Sequence, residues 1–152
     1  MEKSNTSEKI KLLTGNGMWH TQETEDLPSV HLSDGPHGLR KQEEKERQNN
    51  VSLVSTCYPT ASALACSWDV TAAQRLGRAV AKEAWNADVS VLLGPGINMK
   101  RSPLCGRNFE YFSEDPFLAG RLGAAYVNAA QGENVAVSLK HFAANNQETN
   151  RQ

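Results

Sequence analysis

Three short apolar runs, separated by two amphipathic segments, limit what this chain can fold into more than any other feature of its sequence. The apolar runs lie at 27–32, 89–93 and 135–139, and each has the length of a strand. The segments 69–86 and 115–132 carry apolar residues at spacings of four, and each begins with an Asp that can cap a helix. This order favours right-handed βαβ units. The expected fold class is therefore α/β, with parallel strands covered on both faces and with outer helices.

Two further segments stand outside this alternation. Residues 7–15 predict a short helix, with Ser7 as its N-cap, that is stable only when it is docked. Residues 41–50 hold three acids and three bases and almost no apolar side chain. We therefore expect a charged surface loop at 41–50 within the domain.

Composition excludes several classes of protein. Sixteen Lys and Arg against seventeen Asp and Glu give a formal charge of −1, so neither nucleic acid nor a membrane surface is an expected partner. The apolar runs are far shorter than the roughly 20 residues of a membrane span. No signal peptide is seen, so we expect a cytoplasmic protein or one that has lost its targeting signal. The three cysteines form no C-x-x-C pair, which indicates reduced, buried thiols and predicts no metal or other cofactor.

Polar, loop-forming residues follow each predicted strand. Asp34 comes after the first strand, the segment 94–101 after the second, and Lys140 with His141 after the third. Ligand sites in parallel α/β folds lie at the carboxyl ends of the strands, so these residues are predicted to share one mouth. The Gly-Pro-Gly triplet that opens the second loop is expected to end its strand, and it lacks the spacing of a phosphate-binding loop.

The chemical mixture at this mouth suits a sugar. A carboxylate accepts hydrogen bonds from hydroxyl groups, whereas guanidinium and ammonium groups donate them. The candidate set combines one carboxylate, three cations and one imidazole with nearby aromatic side chains, namely Asp34, Arg107, Lys140, Arg151 and His141, beside Trp68, Phe109 and Phe142. Plainer explanations exist, since Asp34 lies in a turn-forming loop and Arg107 can form structural ion pairs with Glu110 or Glu114.

Lys140 and His141 are adjacent, and adjacent side chains on a regular strand face opposite ways. For both side chains to serve one ligand, the backbone must depart from strand geometry. We therefore predict a non-proline cis peptide bond at Lys140–His141 or at Phe142–Ala143.

Four motifs, in order along the chain, resemble a known family. They are Ser33-Asp-Gly-Pro-His-Gly-Leu-Arg40, the segments 57–69 and 93–116, and Lys140-His-Phe-Ala-Ala-Asn-Asn-Gln-Glu-Thr-Asn-Arg151. Together they are similar to the N-terminal catalytic domain of glycoside hydrolase family 3 β-glucosidases. The resemblance implies that residues 1–152 form the N-terminal part of that domain, an incomplete (β/α)8 TIM-like barrel. It also implies a retaining hydrolase that removes terminal non-reducing β-D-glucosyl residues from β-glucosides or oligosaccharides.

The resemblance further implies roles for the candidate residues. The residues that would hold the hydroxyl groups of the terminal sugar in the −1 subsite are Asp34, Arg107, Lys140, His141 and Arg151. It places the nucleophilic Asp and the acid/base Glu beyond Gln152, so no catalytic residue is expected in this chain and the isolated chain is expected to be inactive. Capping and ion pairing explain the remaining acids of this region, which are Glu110, Glu114 and Asp115.

Two other interpretations stay open at this point. One is a non-catalytic carbohydrate-binding fragment. The other, which only the charged segment 41–50 supports, is an interaction module without a sugar site. Because an open parallel sheet leaves one strand edge unpaired, we also expect self-association through that edge.

Overall fold

The computed structural model describes residues 6–42 and 51–151, and its regular elements follow the predicted alternation. A parallel sheet forms the centre and helices lie outside it. In chain order the elements are α1 (Thr6–Lys11), β1 (Leu32–Asp34), α2 (Ala61–Ala65), α3 (Val70–Asn86), β2 (Val91–Gly96), a 3₁₀ turn (Asn108–Glu110), α4 (Pro116–Gln131) and β3 (Ala136–Lys140).

The three strands pair in the order β1-β2-β3, and both pairs are parallel. Val91 of β2 lies opposite Leu32 of β1 and Ala136 of β3. The connection from β1 to β2 contains α3, and the connection from β2 to β3 contains α4. The α/β class with parallel strands and outer helices is confirmed.

Both long helices begin where their capping residues predict. The Asp69 carboxylate accepts a hydrogen bond from the Thr71 amide at 2.8 Å, and the Asp115 carboxylate accepts from the amides of Phe117 and Leu118 at 3.1 Å. Pro116 occupies the first turn of α4, where its missing N–H costs nothing. The local sequence is therefore sufficient to set these two boundaries.

The core lies where α3 and α4 pack on each other and on β2. Val80, Leu92 and Leu122 are fully buried there. The two helices approach closely at Gly77, because a Cβ atom at this position would lie 2.4 Å from the carbonyl oxygen of Tyr126. Gly77 thus sets the distance between the two helices.

The predicted strand at 27–32 is wrong, since β1 begins at Leu32 and ends at Asp34. Pro28 has no amide hydrogen, and the backbone of Val30 bonds to an earlier loop instead of the sheet. The amide of Thr21 donates to the Val30 carbonyl at 3.0 Å, and the amide of Leu32 donates to the Trp19 carbonyl at 2.7 Å. A contact with the preceding chain therefore replaces sheet pairing at Val30, whereas the His31 carbonyl already accepts from the Val91 amide of β2 at 3.1 Å.

The Gly-Pro-Gly triplet does not end the second strand. β2 continues through it to Gly96, and the ladder with β3 shifts register between Leu93 and Gly96. Gly96 is needed here because a Cβ atom would lie 2.9 Å from the Glu110 carbonyl oxygen. The close approach of the 3₁₀ turn thus prolongs the strand.

The expectation that all strands are covered on both faces is wrong for β3. Ala136, Ser138 and Leu139 are exposed. Within the described residues, β3 pairs with β2 alone. The other side of β3 is therefore an open strand edge as far as residues 6–42 and 51–151 are concerned.

The short N-terminal helix is exposed, since α1 buries none of its residues. Cys105 is buried, but Cys57 and Cys66 are exposed, so the predicted burial of these two thiols is wrong.

The predicted charged loop at 41–50 is described only in part. Lys41 is half-buried and its Nζ donates to the Ala87 carbonyl at 2.5 Å. Residues 43–50 lie outside the described residues. No helix in the described ranges is both long and apolar enough to cross a membrane.

Candidate functional site

The carboxyl ends of the three strands place four of the five candidate residues at one edge of the sheet. Asp34 is the last residue of β1, Lys140 is the last of β3, and His141 follows it. Arg107 lies in the loop after β2, directly before the 3₁₀ turn. Although β1 and β3 are not neighbours in the sheet, the Lys140 Nζ reaches the Asp34 Oδ1 at 2.8 Å.

Lys140 lies between two carboxylates. Besides its bond to Asp34, its Nζ is 3.7 Å from the Glu110 Oε2. Burial works to raise the pKa of Asp34, but the hydrogen bond and charge of Lys140 outweigh it and hold the pKa of that carboxyl below its usual value. The Asp34 side chain keeps about a third of its surface exposed and stays ionised, so it is available as a hydrogen-bond acceptor.

Two protein groups fix the guanidinium of Arg107. Its Nε binds the Glu110 Oε1, and its Nη2 lies 2.7 Å from the Nε2 of His141. Burial works to lower the pKa of Arg107, but the Glu110 carboxylate outweighs it and raises the pKa. The structural ion pair with Glu110 that the sequence allows is therefore present. Nη1 has no hydrogen-bond partner within the described residues, so it is open to a ligand.

His141 is held through both its backbone and its ring. Its amide donates to the Asn98 Oδ1 at 2.7 Å, and its carbonyl accepts from the Asn98 Nδ2 at 3.1 Å. The ring Nδ1 lies 3.0 Å from the Tyr111 hydroxyl. Burial, the Arg107 charge and the Lys140 charge lower the pKa of His141, which favours a neutral imidazole.

The predicted backbone departure after β3 is confirmed. The Lys140–His141 and Phe142–Ala143 peptide bonds are both cis. Lys140 and His141 lie at the same edge, where Lys140 contacts Glu110, His141 contacts Arg107, and Glu110 and Arg107 form an ion pair with each other.

The loop after β1 is built tightly around Asp34. Gly35 has a φ of 113°, and a Cβ atom there would lie 1.9 Å from the Gly38 carbonyl oxygen. The Tyr126 hydroxyl donates to the Pro36 carbonyl at 2.7 Å, and the Arg40 amide donates to the Asp34 carbonyl at 2.9 Å. These contacts show that the turn-forming loop fixes the backbone of Asp34.

The fifth candidate, Arg151, lies at the margin of this cluster. Its side chain is 55% exposed, and its Nη1 donates to both carboxylate oxygens of Glu148 at 2.9 and 3.0 Å. Glu148 in turn lies 3.9 Å from the Nε of Arg107. Arg151 is therefore linked to the other candidates through Glu148.

The aromatic candidates are spread out. Phe109 is half-exposed and meets the His37 ring edge-on, with ring centroids 5.8 Å apart. Phe142 is fully exposed next to His141. Trp68 lines a separate cavity of about 300 Å³ with Cys66 and Lys100, and the structure does not bring it to the Asp34 cluster.

Sequence reasoning missed three residues that build this edge. Asn98 clamps the backbone of His141, the Tyr111 hydroxyl faces its ring, and the Asn145 Nδ2 donates to that hydroxyl at 2.6 Å. A positional signal existed for Asn98, which follows the strand end after Gly96, and for Tyr111, which follows Glu110 in the quoted motif. Their partners lie 30 or more residues away, which no local pattern reveals.

The charges of the assembled site balance. Three carboxylates, on Asp34, Glu110 and Glu148, face three cations, on Lys140, Arg107 and Arg151. No group of three or more metal-ligating side chains occurs in residues 6–42 and 51–151. A balanced set of donors and acceptors at the carboxyl edge of a parallel sheet is typical of α/β-barrel proteins that bind small polar molecules.

Comparison with known proteins identifies the family within this class. Residues 32–151 match the family model described as "Glycosyl hydrolase family 3 N terminal domain". The chain therefore belongs to glycosyl hydrolase family 3, whose members are glycoside hydrolases.

The chain is similar to several named members. It is 53% identical over 148 residues to "Thermostable beta-glucosidase B" of Acetivibrio thermocellus and 47% identical over 149 residues to "Exo-alpha-(1->6)-L-arabinopyranosidase" of Bifidobacterium longum. Each alignment covers 95% of this chain and 20% of the relative. The chain thus spans about a fifth of the length of these relatives.

Solved structures show the same fold. The β-glucosidase of Kluyveromyces marxianus in complex with glucose is 40% identical and superposes with a TM-score of 0.88, over 96% of this chain and 17% of that one. The N-terminal domain of such β-glucosidases is a TIM barrel, of which this chain is a part.

Proposed function

We propose that this chain supplies the sugar-binding residues of the −1 subsite in a retaining β-glucosidase-type hydrolase of family 3. The substrates are β-glucosides or oligosaccharides, from which a terminal non-reducing β-D-glucosyl residue is removed. The observation that carries this proposal is the joining of Asp34, Lys140, Glu110 and Arg107 into one charged network at the strand ends of a family 3 domain. A relative named as a β-glucosidase and a neighbour solved in complex with glucose support the choice of sugar.

The geometry supports distinct roles for the charged groups. The Asp34 carboxylate has one oxygen on Lys140 and the other available to accept from sugar hydroxyls. The Nη1 of Arg107 and the remaining hydrogens of the Lys140 ammonium donate to the same edge of the sugar. For His141 and Arg151 we propose positions nearer the reacting bond.

We propose that the 152-residue chain binds sugar but does not hydrolyse glycosides. Retaining hydrolysis uses a nucleophilic carboxylate and a second, protonated carboxyl group about 5–5.5 Å apart. Lys140 binds the Asp34 carboxylate and holds the pKa of Asp34 below its usual value, so Asp34 does not suit the role of a proton donor. The two oxygens of Glu110 contact Arg107 and Lys140, which occupies this carboxylate within the network.

Titration with glucose, followed by amide chemical shifts, tests the binding. We expect millimolar binding at the strand-end residues, and loss of that binding in Asp34→Ala. Asp26→Ala is the matched control, because Asp26 is an exposed carboxylate away from this edge. Absence of glucose binding to the unmodified chain, or binding that Asp34→Ala leaves unchanged, would overturn the proposal.

An aryl β-glucoside assay tests the expected inactivity. We expect no turnover above that of the Asp34→Ala variant. Turnover that Asp34→Ala abolishes would mean that the described residues contain a catalytic pair, and it would also exclude the alternative of a non-catalytic carbohydrate-binding fragment.

We also propose self-association through the open edge of β3. Leu139 of β3 is half-exposed and Phe142, just after the strand, is fully exposed, and unpaired strand edges promote pairing between chains. We expect sedimentation velocity to show a concentration-dependent dimer that Leu139→Lys weakens. Phe117→Ser, which removes an exposed apolar side chain from α4, serves as the control and should leave the dimer intact.

A further inference from the structure

Tyr111 contacts the candidate sugar site through His141 and is fully buried. Its hydroxyl is 3.0 Å from the Nδ1 of His141 and accepts a hydrogen bond from the Asn145 Nδ2 at 2.6 Å. The two rings meet edge-on, with centroids 5.9 Å apart. None of the roles proposed above uses this hydroxyl.

The hydrogen-bonding partners of His141 determine where its proton lies. A guanidinium has only donors, so the contact of the Arg107 Nη2 with the His141 Nε2 at 2.7 Å requires a lone pair on Nε2. The ring hydrogen must then be on Nδ1, where it points at the Tyr111 hydroxyl oxygen. A protonated imidazolium would set the Nε2 hydrogen against the Arg107 donor.

We infer that Tyr111 is a positioning residue that holds His141 as the neutral tautomer with hydrogen on Nδ1, so that Nε2 accepts from Arg107. This inference rests on the proposed function for its effect on sugar binding. With Glu110 on Nε and His141 on Nη2, two sides of the Arg107 guanidinium are fixed. Nη1, which has no partner among the described residues, is thereby left to donate to the sugar.

This arrangement changes the role of His141. While its Nε2 accepts from Arg107, that nitrogen cannot donate to a sugar hydroxyl. His141 therefore acts in the unliganded chain as the acceptor that orients Arg107. A chain of groups, Asn145 to Tyr111 to His141 to Arg107, links a buried phenol to the ligand-facing guanidinium.

Imidazole nitrogen NMR at neutral pH tests this assignment. Two-bond proton–nitrogen correlations show which ring nitrogen carries hydrogen, and the His141 signals are identified by their loss in His141→Asn. We expect a single Nδ1–H tautomer in the unmodified chain and a mixture of tautomers in Tyr111→Phe. Glucose affinity should fall about fivefold in Tyr111→Phe, the size of effect that loss of one hydrogen bond produces.

Tyr126→Phe is the matched control, because it removes another buried hydroxyl, one bound to the Pro36 carbonyl and not to His141. It should leave the His141 tautomer unchanged. An Nε2–H tautomer or an imidazolium in the unmodified chain would overturn the inference, as would a Tyr111→Phe variant that keeps the single Nδ1–H tautomer.

If Tyr111→Phe does not fold, the unmodified chain decides. A proton on Nδ1 with a nuclear Overhauser contact to the Tyr111 ring supports the inference, and absence of that proton overturns it. Failure of glucose binding in the unmodified chain would instead overturn the proposed function, and the tautomer measurement would still decide the role of Tyr111.

Discussion

The helix pair α3–α4 and the strand β3 are both built from largely apolar sequence, but they end in opposite environments. Val80, Ala84 and Leu122 of the helix pair are buried almost completely, whereas Leu139 of β3 is half-exposed. The two helices pack on each other and share a core with β2. β3, by contrast, has one strand neighbour among the described residues. The candidate site reaches across the sheet to the open strand, because Asp34 ends β1, whereas Lys140 ends β3 and His141 follows it.

Because β3 is less buried than the helix pair, other contacts hold its end in place. Hydrogen bonds from site residues fasten its end to the packed part, through Lys140 to Asp34 and through the backbone of His141 to Asn98. The Asn146 Nδ2 adds a further bond to the Met99 carbonyl at 2.5 Å. The residues assigned to sugar binding thus also carry the structural attachment of β3.

The largest expected effect compares one leucine from each region. Leu122→Ala removes a fully buried side chain, and we expect it to lower the free energy of unfolding by about 2–5 kcal/mol. Leu139→Ala removes a half-exposed side chain and should cost less than about 1 kcal/mol. Urea unfolding followed by circular dichroism measures both. Equal losses for the two variants would show that β3 is as well covered as α4.

The next effect tests the attachment at Lys140. Lys140→Met removes the cation shared by Asp34 and Glu110, so we expect a loss of about 1–3 kcal/mol in the free energy of unfolding. The pKa of Asp34 should rise, because its burial is then no longer offset by Lys140. Urea unfolding and a carboxyl NMR titration measure the two quantities.

Lys82→Met is the control for that variant, since Lys82 is an exposed lysine of α3. It should change neither the Asp34 titration nor the stability appreciably. An unchanged Asp34 titration in Lys140→Met would show that the ion pair is not formed in solution.

The sequence predicts most reliably those features that depend on near neighbours. Asp69 and Asp115 set the starts of α3 and α4 because a cap bonds to amides two or three residues away. The strand at 27–32 is misplaced because Val30 bonds to Thr21 of the preceding loop, and bonding to β2 starts only at the His31 carbonyl. Local pattern cannot rank two such pairings.

The site residues also differ in whether the sequence alone could predict them. Asp34, Arg107, Lys140 and His141 could be predicted because each follows a strand and parallel strands end at one edge. Tyr111 and Asn98 could not, since their significance comes from His141, which lies 30 and 43 residues away from them. The bridging position of Glu110 between Arg107 and Lys140 likewise exists only once β2 and β3 are paired.

The smallest expected effect is the response of the site to pH. Burial is the main reason why the pKa values of His37 and His141 are lowered, with Lys140 contributing to both and Arg107 to His141. As pH falls through the usual histidine value of about 6.5, the unfolded chain takes up protons that the folded chain resists, so stability is lost. We expect the melting temperature to fall by a few degrees between pH 7 and pH 5.

Replacement of both histidines separates this effect from general acid sensitivity. The double variant with His37→Asn and His141→Asn should lose less of its melting temperature between pH 7 and pH 5 than the unmodified chain does. Asp34, whose pKa is lowered, contributes to acid sensitivity only nearer the usual aspartate value of about 3.9. A pH response that is identical in the double variant would place the titrating groups outside the site and would mean that acid weakens the packed region and the open strand alike.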